Sequence, residues 1–323
     1  MSEAVLLELP PRVVAIDIGG TKVDIALADR SGIILDRLRI DTLAERGVDQ
    51  VLSRIGDAVR TVLARAAQAG GPVVAACAAV TPGAVRANQV LFAPNLPGWD
   101  RVALADRLQD ALGIGPVAVS NDVRAGALAE LRAGSLRGAD PGIYLSLGTG
   151  IGAALAVGDR VIEGGHGAAG EIAYMTGEAS PVFAAADGVA PLELIAGGKA
   201  IGDRAGRYLG VPLTAKEVFA DSHPVARQVV HEALAALATA VGNLAAFVDP
   251  QRVVIGGGLA ADADTIIPVL TARLRQAVPF PPEVVPARFI KNASLHGAIA
   301  LALDCLGAAA GTGYGEGLAE ANR

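Results

Sequence analysis

Short apolar runs broken by glycine recur along this chain, and between them lie longer stretches whose apolar residues repeat at helical spacing. VVAIDIG (13–19) reads as a buried strand, and strands are predicted over 12–19, 23–29 and 33–40. Val48, Val51, Leu52, Ile55, Val59, Val62 and Leu63 predict a helix over 48–69. PVVAACAAV (72–80) is a further buried strand. A helix follows near 101–112, built on Val102, Ala105, Leu108 and Leu112. PVAVS (116–120) predicts a strand and DVRAGALAELRAG (122–134) a helix that stops at glycine. Strand and helix in this mixed order predict an α/β fold with a largely covered sheet.

The opening pattern then returns. GIYLSLGTGIGAALAVGDRVI (142–162) repeats VVAIDIGGTKVDIALADRSGII element for element, as strand, glycine turn and strand. An echo at this distance predicts two similar domains, each opening with a glycine-turned hairpin. A third glycine cluster, RVVIGGGLA (252–260), follows a long Ala-rich helix near 225–248. The Gly/Ala-rich stretch 307–323 reads as a loose tail.

Composition narrows the picture. The 323 residues suffice for one large or two medium domains, and 52% hydrophobic against 19% charged residues is a globular balance. A net charge of −6 without a long basic run argues against a nucleic-acid partner. MSEAVLLELPPR carries acids and prolines where a secretory signal needs basic residues and a long apolar core. No run of 18 uninterrupted apolar residues occurs, so the expectation is a soluble, cytoplasmic protein with no membrane partner. Cys77 and Cys305 are far apart and lack metal spacing, and both read as small buried hydrophobes.

The candidate chemistry sits at the glycine turns. Glycine lets a ligand approach the backbone closely, and successive backbone N–H groups can form a concave anion site. Gly19-Gly20-Thr21-Lys22 and Gly148-Thr149-Gly150 each offer such groups together with a hydroxyl. Two such turns facing one another would clamp a polyphosphate. Neither is the GxxxxGK[ST] phosphate loop, and either turn taken alone is as readily structural. The pair, with Asp17 upstream and Gly256-Gly257-Gly258 downstream, resembles the ATPase domain shared by sugar kinases, actin and heat-shock chaperones. That resemblance implies a two-domain actin/hexokinase-like fold with a cleft between the domains. It gives the first two turns to the nucleotide phosphates, the third cluster to the adenosine, and Asp17 to Mg²⁺, held directly or through water. The expected units are 1–122, completed by a helix near 296–306, and 123–295.

SNDVRAGALAE places Asn121 and Asp122 at the C-terminal end of a strand, where open α/β sheets bind ligands. Asp122 is equally placed to cap the following helix. TPGAV (81–85), APNLPGWD (93–100), SLGTGIGAAL (146–155) and GAAGEIAYM (167–175) occur in order with DIGGTK. Together they resemble the ROK family (repressors, open reading frames and sugar kinases) over residues 12–305. The resemblance implies Asp122 as catalytic base. It implies Asn121, Asn95 and Glu171 as partners of sugar hydroxyls, with Gly83 lending close backbone approach. Carboxylates and amides match the donors and acceptors of a sugar, and a carboxylate that takes a hydroxyl proton serves phosphoryl transfer.

One departure is evident. The family's GEIGH is GEIAY here, with Tyr174 in place of the histidine, and Ala184, Ala186 and Pro191 stand where three cysteines of a zinc motif would be. All four zinc ligands are missing together, so no zinc is expected, and His166 reads as a loop residue. Glu193 survives and either reaches the sugar or starts a helix at the surface. Tyr174 either contacts the sugar or fills space beside Met175. The function implied is an ATP- and Mg²⁺-dependent hexose kinase of glucokinase type. The alternatives are an N-acetylglucosamine or N-acetylmannosamine kinase and a non-catalytic sugar-binding ROK protein, with polyphosphate as a second possible donor. Asp17 comes after 16 residues, leaving no room ahead of it in this sequence for the DNA-binding segment of a ROK repressor. A homodimer is expected from the resemblance.

Overall fold

The computed structural model describes residues 11–67, 74–87, 89–91, 93, 96–177 and 188–310. In chain order the first elements are β1 (Arg12–Ile18), β2 (Lys22–Ala28), β3 (Ile34–Asp41), α1 (Val48–Ala67) and β4 (Val74–Thr81). The short strands β5 (Ala84–Arg86) and β6 (Gln89–Leu91), α2 (Leu104–Leu112), β7 (Val117–Asn121) and α3 (Asp122–Ala133) follow. Next come β8 (Gly142–Leu147), β9 (Ile151–Val157), β10 (Arg160–Val161), α4 (Glu193–Ala196), α5 (Gly198–Leu209) and α6 (Ala215–Ala220). The last are α7 (Pro224–Val248), β11 (Arg252–Gly256), α8 (Ala263–Ala277), β12 (Glu283–Pro286) and α9 (Ala293–Ala310). Two corrections to the sequence reading concern ends. The helix near 101–112 begins only at Leu104, because Arg101 takes a left-handed φ of 62° and the chain turns there. The stretch read as a loose tail from 307 is helical through Ala310, and the residues beyond lie outside the described ones.

The chain divides into two units, Met1–Ala125 with Ser294–Arg323, and Gly126–Ala293. The first is built on a five-stranded sheet ordered β3-β2-β1-β4-β7, and the second on one ordered β10-β9-β8-β11-β12. The topologies match strand for strand. β1 pairs antiparallel with β2 and parallel with β4, and β8 pairs antiparallel with β9 and parallel with β11. The echo between 13–34 and 142–162 therefore marks the same hairpin in each unit.

In the first unit both faces of β1 are covered, which is why its sequence is a continuous apolar run. Side chains alternate along a strand. Val14, Ile16 and Ile18 pack with Val51, Leu52, Ile55 and Val59 of α1 and Leu104 and Leu108 of α2. Val13 and Ala15 point the other way, with Ala26, Ala28, Ala76 and Ala78, onto Leu295, Ala298, Ile299, Ala302 and Leu303 of α9. Asp17 is next in that second series. Cys77 is fully buried, and burial pushes its thiol up to about 12. Cys305 is only half-buried, which corrects the reading of both cysteines as buried residues, because it packs at the margin of the cluster that α9 covers.

In the second unit Ile143, Leu145 and Leu147 of β8 face a core made with α4, α5, α7 and α8. α7 is the one described helix long and apolar enough to cross a membrane, and half of its apolar window is buried inside the fold. Its buried residues, from Ala226 through Val229, Leu237 and Val241 to Ala245, give it the role of a core helix. Glu130 of α3 is fully buried, and its carboxylate accepts the N–H groups of Ser135, Arg288 and Phe289 at 2.6, 3.2 and 2.7 Å. Three donors replace the water that a buried carboxylate loses.

Candidate active site

In the first unit, the turn between β1 and β2 is held from behind. The Gly19 N–H donates to the Lys22 carbonyl at 2.9 Å. Buried Thr42 donates its hydroxyl to the Gly19 carbonyl at 2.6 Å and its N–H to the Thr21 carbonyl at 2.9 Å. Thr21 and Lys22 remain exposed. Strand alternation carries Asp17 to the α9 face, where Ser294 donates its hydroxyl to Oδ2 at 2.5 Å. Burial pushes the Asp17 carboxyl up to about 6, Ser294 opposes the shift and the Asp24 charge adds to it. Asp24 is held by Arg37 and Arg39 at 2.7 Å each.

The same unit brings together two motifs that are far apart in sequence. β4 and β7 run parallel, with Thr81 beside Asn121. The Asn121 amide donates to the Gly83 carbonyl at 2.6 Å, and buried Arg124 donates to the Val85 carbonyl at 3.1 Å. TPGAV and SNDV thus form one surface around Gly83, whose φ of 92° is the left-handed turn conformation. Asn121 Oδ1 accepts the N–H groups of Val123 and Arg124 at 2.8 and 3.1 Å. This corrects the capping alternative for Asp122: Asn121, one residue earlier, meets the first free N–H groups of α3. Asp122 Oδ1 accepts the N–H of its neighbour Val123 at 2.9 Å. Asn95, assigned to the sugar by resemblance, lies outside the described residues.

In the second unit, the turn between β8 and β9 closes with Gly148 N–H on the Gly150 carbonyl at 2.9 Å. Gly198 and Lys199, at the start of α5, donate their N–H groups to the carbonyls of Gly148 and Thr149 at 2.9 and 3.0 Å. A Cβ on Gly150 would lie 2.3 Å from Glu193 Oε2, the same oxygen that accepts the Ile151 N–H at 3.0 Å. Glu193 is therefore not a plain surface residue. Its carboxylate backs the glycine turn, and a side chain at 150 would displace it. A cavity of 420 Å³ opens here, lined by Gly148, Thr149, Lys199, Thr214, Lys216 and Gly258 among others. It joins the second and third glycine clusters, Gly256 ending β11 and Gly257 leading into the turn that starts at Gly258.

GEIAY and PLE also meet in this unit. Ile172–Tyr174 form a single 3₁₀ turn with Glu171 before it, and the Leu192 N–H donates to the Ala173 carbonyl at 3.0 Å. The Tyr174 phenol is raised above its ordinary value by burial and then by the charges of Glu171 and Glu193. Glu171, Tyr174 and Glu193 thus lie in one electrostatic neighbourhood. His166 is exposed in its loop. Among the described residues no three of His, Cys, Asp and Glu cluster as metal ligands. Ala184 and Ala186 of the altered zinc motif lie outside the described residues.

The residues fit a hard divalent cation in one way. Among the described residues Asp17 Oδ1 accepts no hydrogen bond, and it borders the Gly19–Lys22 turn. Magnesium takes one or two carboxylates and fills its remaining positions with water and phosphate oxygens, which suits a carboxylate just ahead of a glycine turn with exposed Thr21 and Lys22. Sequence reasoning missed Thr42, Ser294, Gly198 with Lys199, and the Thr214–Lys216 side of the cavity. The dipeptide Gly197-Gly198 ahead of Lys199 was the one local signal for any of them.

Two like-built units, each opened by a glycine-turned hairpin, define an actin- and hexokinase-like ATPase fold. The ROK family model matches residues 13–305, and the chain belongs to that family. It is 31% identical to the kanosamine kinase of Amycolatopsis mediterranei, over 90% of this chain and 96% of that protein. It is 27% identical to the N-acetylmannosamine kinase of Shigella boydii serotype 18, over 89% of this chain and 97% of the other. The structure of a ROK glucokinase from Streptomyces griseus, in complex with glucose and AMPPNP, superposes with a TM-score of 0.75 at 25% identity. It covers 91% of this chain and 99% of that one.

Proposed function

We propose that this chain is an ATP- and Mg²⁺-dependent sugar kinase that moves the γ-phosphoryl group of ATP to a hexose hydroxyl, with Asp122 as general base. The observation that carries the reading is the division of labour at the end of β7. Asn121 does the capping of α3, and Asp122 beside it stands at the C-terminal end of β7, the edge at which open α/β sheets bind ligands. In the proposed reaction an Asp122 carboxylate oxygen takes the proton of the sugar hydroxyl. That hydroxyl oxygen bonds to the γ-phosphorus while the bond to the β-phosphate oxygen breaks, and ADP leaves. Gly83, Asn95, Asn121, Glu171, Tyr174 and Glu193 orient the sugar. The Gly19–Lys22 and Gly148–Gly150 turns hold the phosphates, and Gly256–Gly258 border the adenosine. Asp17 would hold Mg²⁺, which supplies charge stabilisation at the phosphate oxygens.

The sugar itself stays open between two kinds. Relatives named for kanosamine, N-acetylmannosamine and glucose lie within a few per cent of one another in identity, which supports an N-acylhexosamine kinase as the second reading. The test is ADP release over a panel of glucose, kanosamine, N-acetylglucosamine and N-acetylmannosamine, with ATP or polyphosphate as donor, with and without Mg²⁺. Turnover of one sugar that needs both Mg²⁺ and Asp122 is the expected result. Sugar binding without turnover would instead establish a non-catalytic binding protein. We further propose that it works in the cytoplasm as a homodimer.

A further inference from the structure

We propose that Ser294 is a positioning residue that aims Asp17 at the divalent cation. The proposal rests on the reading of Asp17 as the cation-holding carboxylate. Ser294 is the second residue of α9, where its hydroxyl has either solvent or a tertiary partner to meet. Among the described residues its hydroxyl makes no bond to the helix backbone and donates to Asp17 Oδ2 at 2.5 Å, across 277 positions of sequence.

Three features fix that geometry. α9 is clamped to the sheet by Leu295, Ala298, Ile299, Ala302 and Leu303 against the alanines of β1, β2 and β4, so Ser294 has little freedom to move. Asn292, with a left-handed φ of 60°, turns the chain into the helix directly before it. Asp17 belongs to the same face of β1 as Val13 and Ala15, the residues α9 covers. A hydroxyl has one proton to donate, and it is spent on Oδ2. Oδ1 is left for a hard cation and its waters. Without Ser294 the carboxylate could rotate about its terminal torsion, which is broad and intrinsically soft. Donors that orient a ligating carboxylate commonly govern metal affinity by ten- to a hundredfold.

The test measures binding of Mn²⁺, a spectroscopic substitute for Mg²⁺, to the full chain with ADP present, by electron paramagnetic resonance. Ser294→Ala should weaken Mn²⁺ binding roughly tenfold, while sugar affinity stays at the wild-type value. Ser294→Cys, close in size but a weak donor, should do the same and serves if the alanine variant fails to fold. Ser294→Thr keeps the hydroxyl and should bind within about twofold of wild type. Unchanged Mn²⁺ affinity in the alanine or cysteine variant would overturn the proposal. So would an equal loss in the threonine variant with a lowered Tm, which would mean that Ser294 only packs. Asp17→Asn separates the two ideas. If it leaves Mn²⁺ binding intact, the reading of Asp17 falls; if it weakens binding while Ser294→Ala does not, only the role of Ser294 falls.

Discussion

Glu193 Oε2 accepts the backbone N–H of Ile151 at 3.0 Å, in the space that a side chain at residue 150 would need. One carboxylate thus props the Gly148–Gly150 turn while adding its charge to the field at Tyr174. Glu193→Ala should raise the KM for ATP as well as for the sugar, each by about tenfold, the size of one charge-assisted hydrogen bond. Gly150→Ala should act through the same contact and raise the nucleotide KM most. Steady-state kinetics with each substrate varied in turn decide the matter. A rise confined to the sugar KM in Glu193→Ala would remove the propping role.

Asp122→Asn should fold with a Tm near wild type and lose about 10²–10⁴ in kcat, the usual contribution of a general base. Asn121→Ala should lose about 1 kcal/mol of stability with its cap and, because Asn121 also orients the sugar, raise the sugar KM. Thermal melts and turnover measured on both variants provide the check. Near wild-type kcat in Asp122→Asn would show that another group takes the proton.

Tyr174→Phe should raise the KM of the preferred sugar roughly two- to thirteenfold, the range for one neutral hydrogen bond. Nucleotide KM and Tm should change little. If Tyr174 only fills the place of a lost zinc module, the Phe variant will be kinetically silent and Tyr174→Ala will melt early.

Purified protein should carry no stoichiometric zinc, because Tyr174, Ala184, Ala186 and Pro191 supply none of the four ligands. A chelator followed by Mg²⁺ should return full activity. One zinc per chain by elemental analysis would contradict the expectation.

The Asp17 carboxyl gives a pH signature. Its folded value of about 6 lies above the ordinary 3.8, so the native state holds the proton more tightly than the unfolded chain. The stability this contributes is complete below about 3.8 and is lost as pH rises through about 6. In chelator-treated protein, Asp17→Asn should therefore be the more stable form at pH 7, and the gap should close towards pH 4. The change is of order 3 kcal/mol at 1.36 per unit. His296, lowered by burial and Arg37, is present in both proteins and cancels in the comparison. A gap that does not vary with pH would refute the account.

Legibility followed the range of the interactions. VVAIDI announced a covered strand because both its faces are apolar, and the pair of glycine hairpins announced the duplicated sheet. α5 was missed for a local reason. Gly198, Gly202 and Gly206 depress helix propensity, and they are needed there because Cβ atoms would meet the carbonyls of Gly148, Leu213 and Val211 within 2.6 Å. α8 was hidden by Pro268 inside its span. Which of Asn121 and Asp122 caps α3 depends on a backbone angle that an SND tripeptide does not reveal. Thr42 and Ser294 touch Gly19 and Asp17 only after folding, so no local pattern could mark them.

Among the described elements, the helix that finishes the first unit is the last to be made. α9 covers the alanine face of β1, β2 and β4, yet the whole of Gly126–Ala293 is synthesised in between. On the ribosome the inserted unit can therefore reach its native state while the earlier one still waits with an open apolar face. Domains generally fold as units during synthesis, and exposed apolar surface makes waiting intermediates prone to aggregate. A nascent chain arrested before residue 294 should thus hold a protease-resistant second unit beside a protease-sensitive first one. Its sensitive part exposes the alanine face of β1, β2 and β4 until α9 emerges.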